Sequence, residues 1–276
     1  MDAVRSVSSF GREGGRSEII DTAARLGFAA KGVVYTLVGV LALQSALGKG
    51  GDTEGSRGAL VSIADEPFGV VILVLLAIGL SAYVLWRLAT ALLDTENAGT
   101  SARGIAKRVG YFVSALSYGA LTVLAVHLAA GGMRSNGQSR QEWTARLMST
   151  EAGTWLLGLI GVAIVVTGLH QLYKGLGTAY MDRYNSEGMS ASNRTWAKRA
   201  GRIGHAARGI TFGIIGVLLI RGALQHDPNE AVGVGGALAT LAAQPYGKWL
   251  LGLVAAGFVA YGIYCFFRVR YRRFEL

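Results

Sequence analysis

The sequence predicts an all-α polytopic membrane protein, with six transmembrane helices arranged as three parallel two-helix repeats in a pseudo-threefold bundle. Three observations carry this. Of 276 residues, 51% are apolar and 16% charged, with 40 glycines and a mean hydropathy of +0.39; a water-soluble domain carries about 25% charged residues. Six apolar windows, residues 27–47, 68–93, 109–130, 153–175, 204–224 and 247–268, are each long enough to cross about 30 Å of hydrocarbon at about 1.5 Å per residue. Finally, the stretch GFAAKGVVYTLVGVLALQSA that starts at Gly27 returns in variant form twice, each time behind an Arg-x-Gly start: Arg25 and Gly27, Arg108 and Gly110, Arg202 and Gly204. Each repeat crosses the membrane twice, so successive repeats enter it in the same direction and are related by an axis along the membrane normal.

Taken in order, residues 1–20 are rich in Ser, Gly and charge without helical periodicity, and read as a flexible cytoplasmic lead. Repeat 1 occupies 21–98, repeat 2 occupies 99–181, a cytoplasmic linker occupies 182–199, and repeat 3 occupies 200–276. Within each repeat the first span is followed by a polar loop and a short stretch with apolar residues at helical spacing: Ala59, Leu60 and Ile63; Trp143, Leu147 and Met148; Leu238, Leu241 and Ala242. Such a stretch is expected to lie on the outer membrane face. The second span opens with Pro67-Phe68-Gly69 in repeat 1 and Pro245-Tyr246-Gly247 in repeat 3, with Glu151-Ala152-Gly153 between them. Proline is tolerated in a first helical turn, where its missing N–H is not needed. First spans are richer in small and polar residues and are expected inside the bundle; second spans, carrying Val70–Leu80 and many aromatics, are expected to face lipid.

The formal charge is +10, yet the basic residues cluster at span ends instead of forming a stripe on a soluble domain, so nucleic acid is not the expected partner. The amino terminus, the loops 94–108 and 176–203 and the tail hold fifteen Lys and Arg, against five in the alternate loops. The positive-inside rule then puts both termini in the cytoplasm, with the anionic cytoplasmic leaflet as a lipid partner. A single cysteine, Cys265, excludes an internal disulfide, and no Cys and His cluster suits a structural zinc ion.

The pattern of Arg25-x-Gly27, Gly32-Val33-Val34-Tyr35, Gly39 and the Gly79-Leu80-x-Ala82-Tyr83 type of second span resembles the bacterial inner-membrane family known as domain of unknown function 1206. The resemblance covers about residues 24–273 and implies the three-repeat fold and a multi-pass location in the bacterial cell membrane. It supplies no activity and no catalytic residue.

Three sets of residues stand out. Small residues recur four apart at matched positions, Gly32 and Thr36, Ala115 and Gly119, Gly209 and Gly213, as a face on which helices pack closely in lipid. Arg25, Arg108 and Arg202 are identical in all copies and read as a cytoplasmic anchor ring, with anion binding as the alternative. Gln44, His127 and Arg221 form a matched set near the outer boundary, a candidate polar ring for a pathway. Deeper than the arginines lies a fourth matched position, held by Lys31, Ser114 and Arg208, whose long side chains can snorkel or serve a site. His170 and His205 near the inner surface and His127 and His226 near the outer one have the layout of a two-haem cytochrome, but the repeats align His205 and His170 with aromatic positions, and no cofactor is expected. No nucleophile–base set, paired carboxylates or phosphate loop suggests an enzyme. The expected role is therefore a non-enzymatic accessory or scaffold with membrane-protein partners; a small-solute or ion pathway along the repeat axis is the alternative, and a haem electron carrier the second alternative.

Overall fold

A computed structural model describes the backbone of residues 2–51, 53–132, 138–181 and 188–271, and side chains from residue 21 onward, apart from those of 133–141, 143 and 179. The described residues form nine α-helices without a strand: α1 (Asp2–Ala46), α2 (Gly55–Ala64), α3 (Gly69–Leu93), α4 (Ala102–Ala129), α5 (Gln138–Met148), α6 (Glu151–Leu176), α7 (Ala191–Gln225), α8 (Val234–Ala242) and α9 (Gly247–Tyr271). Six of them, α1 from Asp21, α3, α4, α6, α7 and α9, are long and apolar enough to cross a membrane.

Helices α4 and α7 begin well before their apolar windows, because backbone hydrogen bonding continues through polar residues wherever a cap starts it. Ser101 Oγ accepts from the Gly104 N–H (3.2 Å) and Ser190 Oγ from the Asn193 N–H (3.2 Å). The linker expected over 182–199 therefore ends in helix from Ala191, and its residues 182–187 lie outside the described ones. The lead expected over 1–20 is also different: α1 is unbroken from Asp2, since no proline interrupts it.

The short helices α2, α5 and α8 occur where the periodicity placed them. Prolines 67 and 245 do not sit in a first helical turn, however. Each occupies the second position of a tight turn closed by Gly69 N–H to Glu66 O and Gly247 N–H to Gln244 O, both 2.8 Å. The third position demands a positive φ and is held by exposed aromatics, Phe68 (φ 64°) and Tyr246 (φ 62°).

The spans pack in the order α4–α3–α1–α9–α7–α6, each on the next. First and second spans alternate along this arc, so second spans are not an outer layer: α3 and α9 bury about as much as α1 and α7, whereas the two exposed spans are α4 and α6, both of repeat 2. Closing the arc into a ring would need α4 against α6, and among the described residues those two do not pack along their length.

Matched positions show the difference. In repeat 1, Gly27, Ala30 and Val34 of α1 and Gly79, Tyr83 and Trp86 of α3 are buried, and so are their counterparts in repeat 3, Gly204, Ala207 and Thr211 of α7 and Gly257, Tyr261 and Tyr264 of α9. In repeat 2 the same six positions, Gly110, Val113 and Ser117 of α4 and Ala163, Thr167 and His170 of α6, are all exposed. A Cβ added to Gly27 would lie 2.6 Å from Tyr83 Cβ, and one on Gly204 2.6 Å from Tyr261 Cα, whereas nothing lies within 4 Å of one on Gly110. Repeat 2 thus has an open seam where repeats 1 and 3 are zipped.

Candidate functional site: a cation–tyrosine centre

Inside the arc, the fourth matched position proves to be central. Lys31 of α1 is 4% exposed. Its ammonium lies 4.9 Å from the ring centre of Tyr118, 5.0 Å from Tyr83, 5.6 Å from Tyr261 and 5.8 Å from Tyr35, and it donates to the Tyr83 hydroxyl at 3.2 Å. Arg208 of α7, its repeat counterpart, donates to the hydroxyl of Tyr261, the counterpart of Tyr83, at 2.6 Å, and stacks over Tyr35 and Phe212. Arg87 adds a third cation, donating through Nε to the Tyr83 hydroxyl at 3.0 Å. The chain puts these groups together because Lys31 and Tyr35, like Arg208 and Phe212, are four residues apart and so share one helix face, while α3 and α9 each present a tyrosine to it.

The spans that carry this charge hold no acid; beyond them, Tyr111, under the Arg87 guanidinium, donates to Glu96 at 3.0 Å. Residues 22–46, 69–93, 102–129, 152–176, 191–225 and 247–271 contain no Asp or Glu. Desolvating a cation costs several kcal/mol, and each ring face under a desolvated cation returns about 2 kcal/mol, so the tyrosines offset the burial of Lys31 without neutralising it.

Beside the centre, Gln171 of α6, with its amide oriented to suit both neighbours, donates to His205 Nδ1 (3.3 Å) and accepts from Arg208 Nη1 (2.8 Å). Buried His205 Nε2 and Arg208 Nε have no hydrogen-bond partner. Tyr180, beyond the end of α6, packs on His205 and donates to Lys198 O at 2.8 Å; burial, then the neighbouring Tyr264, pushes its hydroxyl up to about 12.

The three matched arginines do not share one ring contact. Each reaches a neighbouring repeat: Arg25 pairs with Asp21 (2.7 Å) and donates to Val269 O of α9, and Arg108 donates to Ala91 O (2.8 Å) and Leu92 O (2.9 Å) of α3. Ala91 and Val269 are counterparts, so both arginines satisfy the last carbonyls of a neighbouring helix, where the dipole favours a cation. The backbone of Arg202 lies against the matched residue of α6, Gly175.

Gln44 and His127 are exposed near the opposite end, and Arg221, half exposed, faces Glu230 at 3.6 Å. Of the small-residue face, Gly32 and Thr36 meet Gly262 of α9, Ala115 is buried, and Gly209 meets Leu172 and Gly168 of α6. Gly119 and Gly213 differ from that reading: a Cβ on either would meet nothing within 4 Å. At Gly213 the space is an apolar groove of about 450 Å³ bounded by Val165, Leu169, Ile210 and Leu241. Among the described residues no three His, Cys, Asp or Glu side chains gather as a metal site.

The repeat signature locates this architecture among known sequences. Three tandem segments, 26–94, 109–177 and 203–272, match the family model described as Domain of Unknown Function (DUF1206). The chain belongs to the DUF1206 family. It is also 38% identical over 248 residues, 90% of each chain, to Uncharacterized protein YxxB of Bacillus subtilis (strain 168). No solved structure matches it. In this DUF1206 chain the sequence matches Lys31 with Arg208 and leaves snorkelling and a site both open, because the tyrosines of α3 and α9 that close over them belong to other helices. The available signal was the recurrence of that repeat position with an aromatic four residues on, in Tyr35, Tyr118 and Phe212.

Proposed function

We propose that the protein is a non-enzymatic accessory protein of the bacterial cell membrane, both termini cytoplasmic, that holds an anionic group at the Lys31–Arg208 centre. The observation that carries this is a pair of matched cations, at one repeat position, in spans devoid of Asp and Glu. An anion there gains charge-assisted hydrogen bonds in a low dielectric and relieves the repulsion between Lys31, Arg87 and Arg208. The orientation rests on the fifteen-to-five basic asymmetry. A binding role fits better than an open pore, because large fully buried side chains, Phe28, Tyr83, Tyr261 and Phe258, fill the interior.

The test is thermal denaturation of protein purified in a neutral detergent, titrated with phosphate, sulfate and acetate. A ligand that binds the folded form at 100 times its Kd stabilises by about 2.7 kcal/mol, so one of these anions should raise the melting temperature saturably, and Lys31→Gln with Arg208→Gln should abolish the rise. A wild-type protein indifferent to all three anions would refute the reading.

A further inference from the structure

The seam between α4 and α6 leads towards this centre. We infer that it is a lateral slot for a single-chain anionic amphiphile, whose chain lies between α4 and α6 and whose head group faces Arg208 and Lys31; this rests on the anion reading above.

Two independent observations meet here. The first is the missing side chain. In repeats 1 and 3 a tyrosine of the second span, Tyr83 or Tyr261, covers the glycine of the first span; in repeat 2 that position is Thr167, and Gly110 faces empty space. The walls left bare, Gly110, Val113 and Ser117 on one side and Ala163, Thr167 and His170 on the other, are small or apolar along most of their length, which suits an alkyl chain.

The second observation is charge. Gln171, one turn from Thr167 on α6, touches Arg208, which is itself only half buried and keeps an unpartnered buried Nε. At the arginine end of the seam, exposed Lys107 of α4 lies within electrostatic reach of exposed His170 of α6, as does Lys174. Neither α4 nor the part of α6 beyond Glu151 contains an acid. A slot with apolar walls and cationic groups at its mouth and inner side selects a molecule with an alkyl chain and an anionic head, such as an alkyl phosphate or a fatty acid. A neutral lipid would offer no charge to Arg208 and its unpartnered Nε, and an apolar helix of another protein would offer none either.

The experiment uses the full chain in phosphatidylcholine nanodiscs, with dodecyl phosphate and inorganic phosphate as probes and bound ligand counted by native mass spectrometry and calorimetry. Thr167→Tyr restores the residue that fills the seam in the other repeats, Gly110→Leu fills it from the opposite wall, and Leu85→Tyr, on the exposed face of α3, is the control. Expelling one or two methylenes from an apolar slot should weaken dodecyl phosphate roughly four- to fifteen-fold in both seam variants, with inorganic phosphate unchanged and Leu85→Tyr like wild type. If both seam variants bind dodecyl phosphate as wild type does, the slot is refuted while the anion centre stands. If neither probe binds wild type, the anion centre falls and the slot with it. A photo-crosslinking residue at Ser117 gives a separate readout in native membranes: an adduct of a few hundred daltons, the size of one amphiphile, supports the slot, and an adduct with a protein overturns it in favour of a partner helix.

Discussion

Gly110 and Gly204 are the same residue at the same repeat position, and the structure gives them opposite responses to one added methyl. At Gly204 the new Cβ would lie 2.6 Å from Tyr261 Cα, well inside the 3.4 Å at which ordinary contact begins, and Tyr261 N stands 2.8 Å away. The obstacle is backbone, so α9 itself must retreat. Overpacking of this kind costs about 1–3 kcal/mol. At Gly110 no atom lies within 4 Å, and the only effect is the helix gain of about 1 kcal/mol that alanine has over glycine. That gain applies at both sites and cancels in the comparison. Gly204→Ala should therefore be less stable than Gly110→Ala by about 1–3 kcal/mol, and Gly110→Ala should be at least as stable as wild type. At about 2–4 °C per kcal/mol for a chain of this order of size, the two melting curves, followed by circular dichroism in the same detergent, should separate by several degrees. Equal losses in the two variants would mean that α4 and α6 are zipped like their counterparts, and the open seam would be refuted.

Arg108→Ala removes two hydrogen bonds to the last carbonyls of α3; a loss of about 1–2 kcal/mol is expected in the same melt, and Arg108→Lys should recover part of it. Asp94 accepts from the Ala98 and Gly99 N–H groups (2.7 and 2.8 Å), chiefly the latter, which holds its carboxyl below the ordinary value of 3.8. Its folded pKa is depressed, so its contribution is complete above the unfolded value and is lost as pH falls through the folded one; Asp94→Asn should flatten that acid limb in melts taken between pH 5 and pH 2, and an unchanged acid limb would count against the turn. Cys265 is fully buried, so a maleimide should label it from neither membrane face in intact vesicles and quantitatively after denaturation in dodecyl sulfate; labelling of the native protein would contradict its packing in α9.

The spans and the short helices were legible because length and apolar periodicity are local properties of the chain, and the Arg-x-Gly start repeats visibly at 25, 108 and 202. The pairing of the spans was not legible. Gly110 reads like Gly27 and Gly204, and whether a glycine is covered depends on a residue on another helix. The one hint lay in the second spans, where Thr167 replaces tyrosine and Ala163 replaces glycine. For the arginines, identity was readable and the partner was not, since the carbonyls of Ala91 and Val269 belong to helices whose neighbours only the fold decides. Arg108 and Arg202 also lie inside helices and not at their starts, because α4 and α7 begin at Ala102 and Ala191. The surroundings of Lys31 were hidden by the same locality: a lysine near a span end has a route to water unless other helices close it, and here Tyr83, Tyr118 and Tyr261 do.

The pairing of α1 with α9 has a bearing on how the molecule is made. Arg25 and its acceptor Val269 are 244 positions apart, and ribosomes add about 5–20 residues per second, so roughly 10–50 s pass between their emergence. Throughout that interval the first span is without its cover from α9 at Gly32, Thr36 and Gly39. The last span thus joins the two halves of the arc, and a ribosome that stalls after α7 leaves them apart, with a first helix that offers a small-residue face to any passing neighbour.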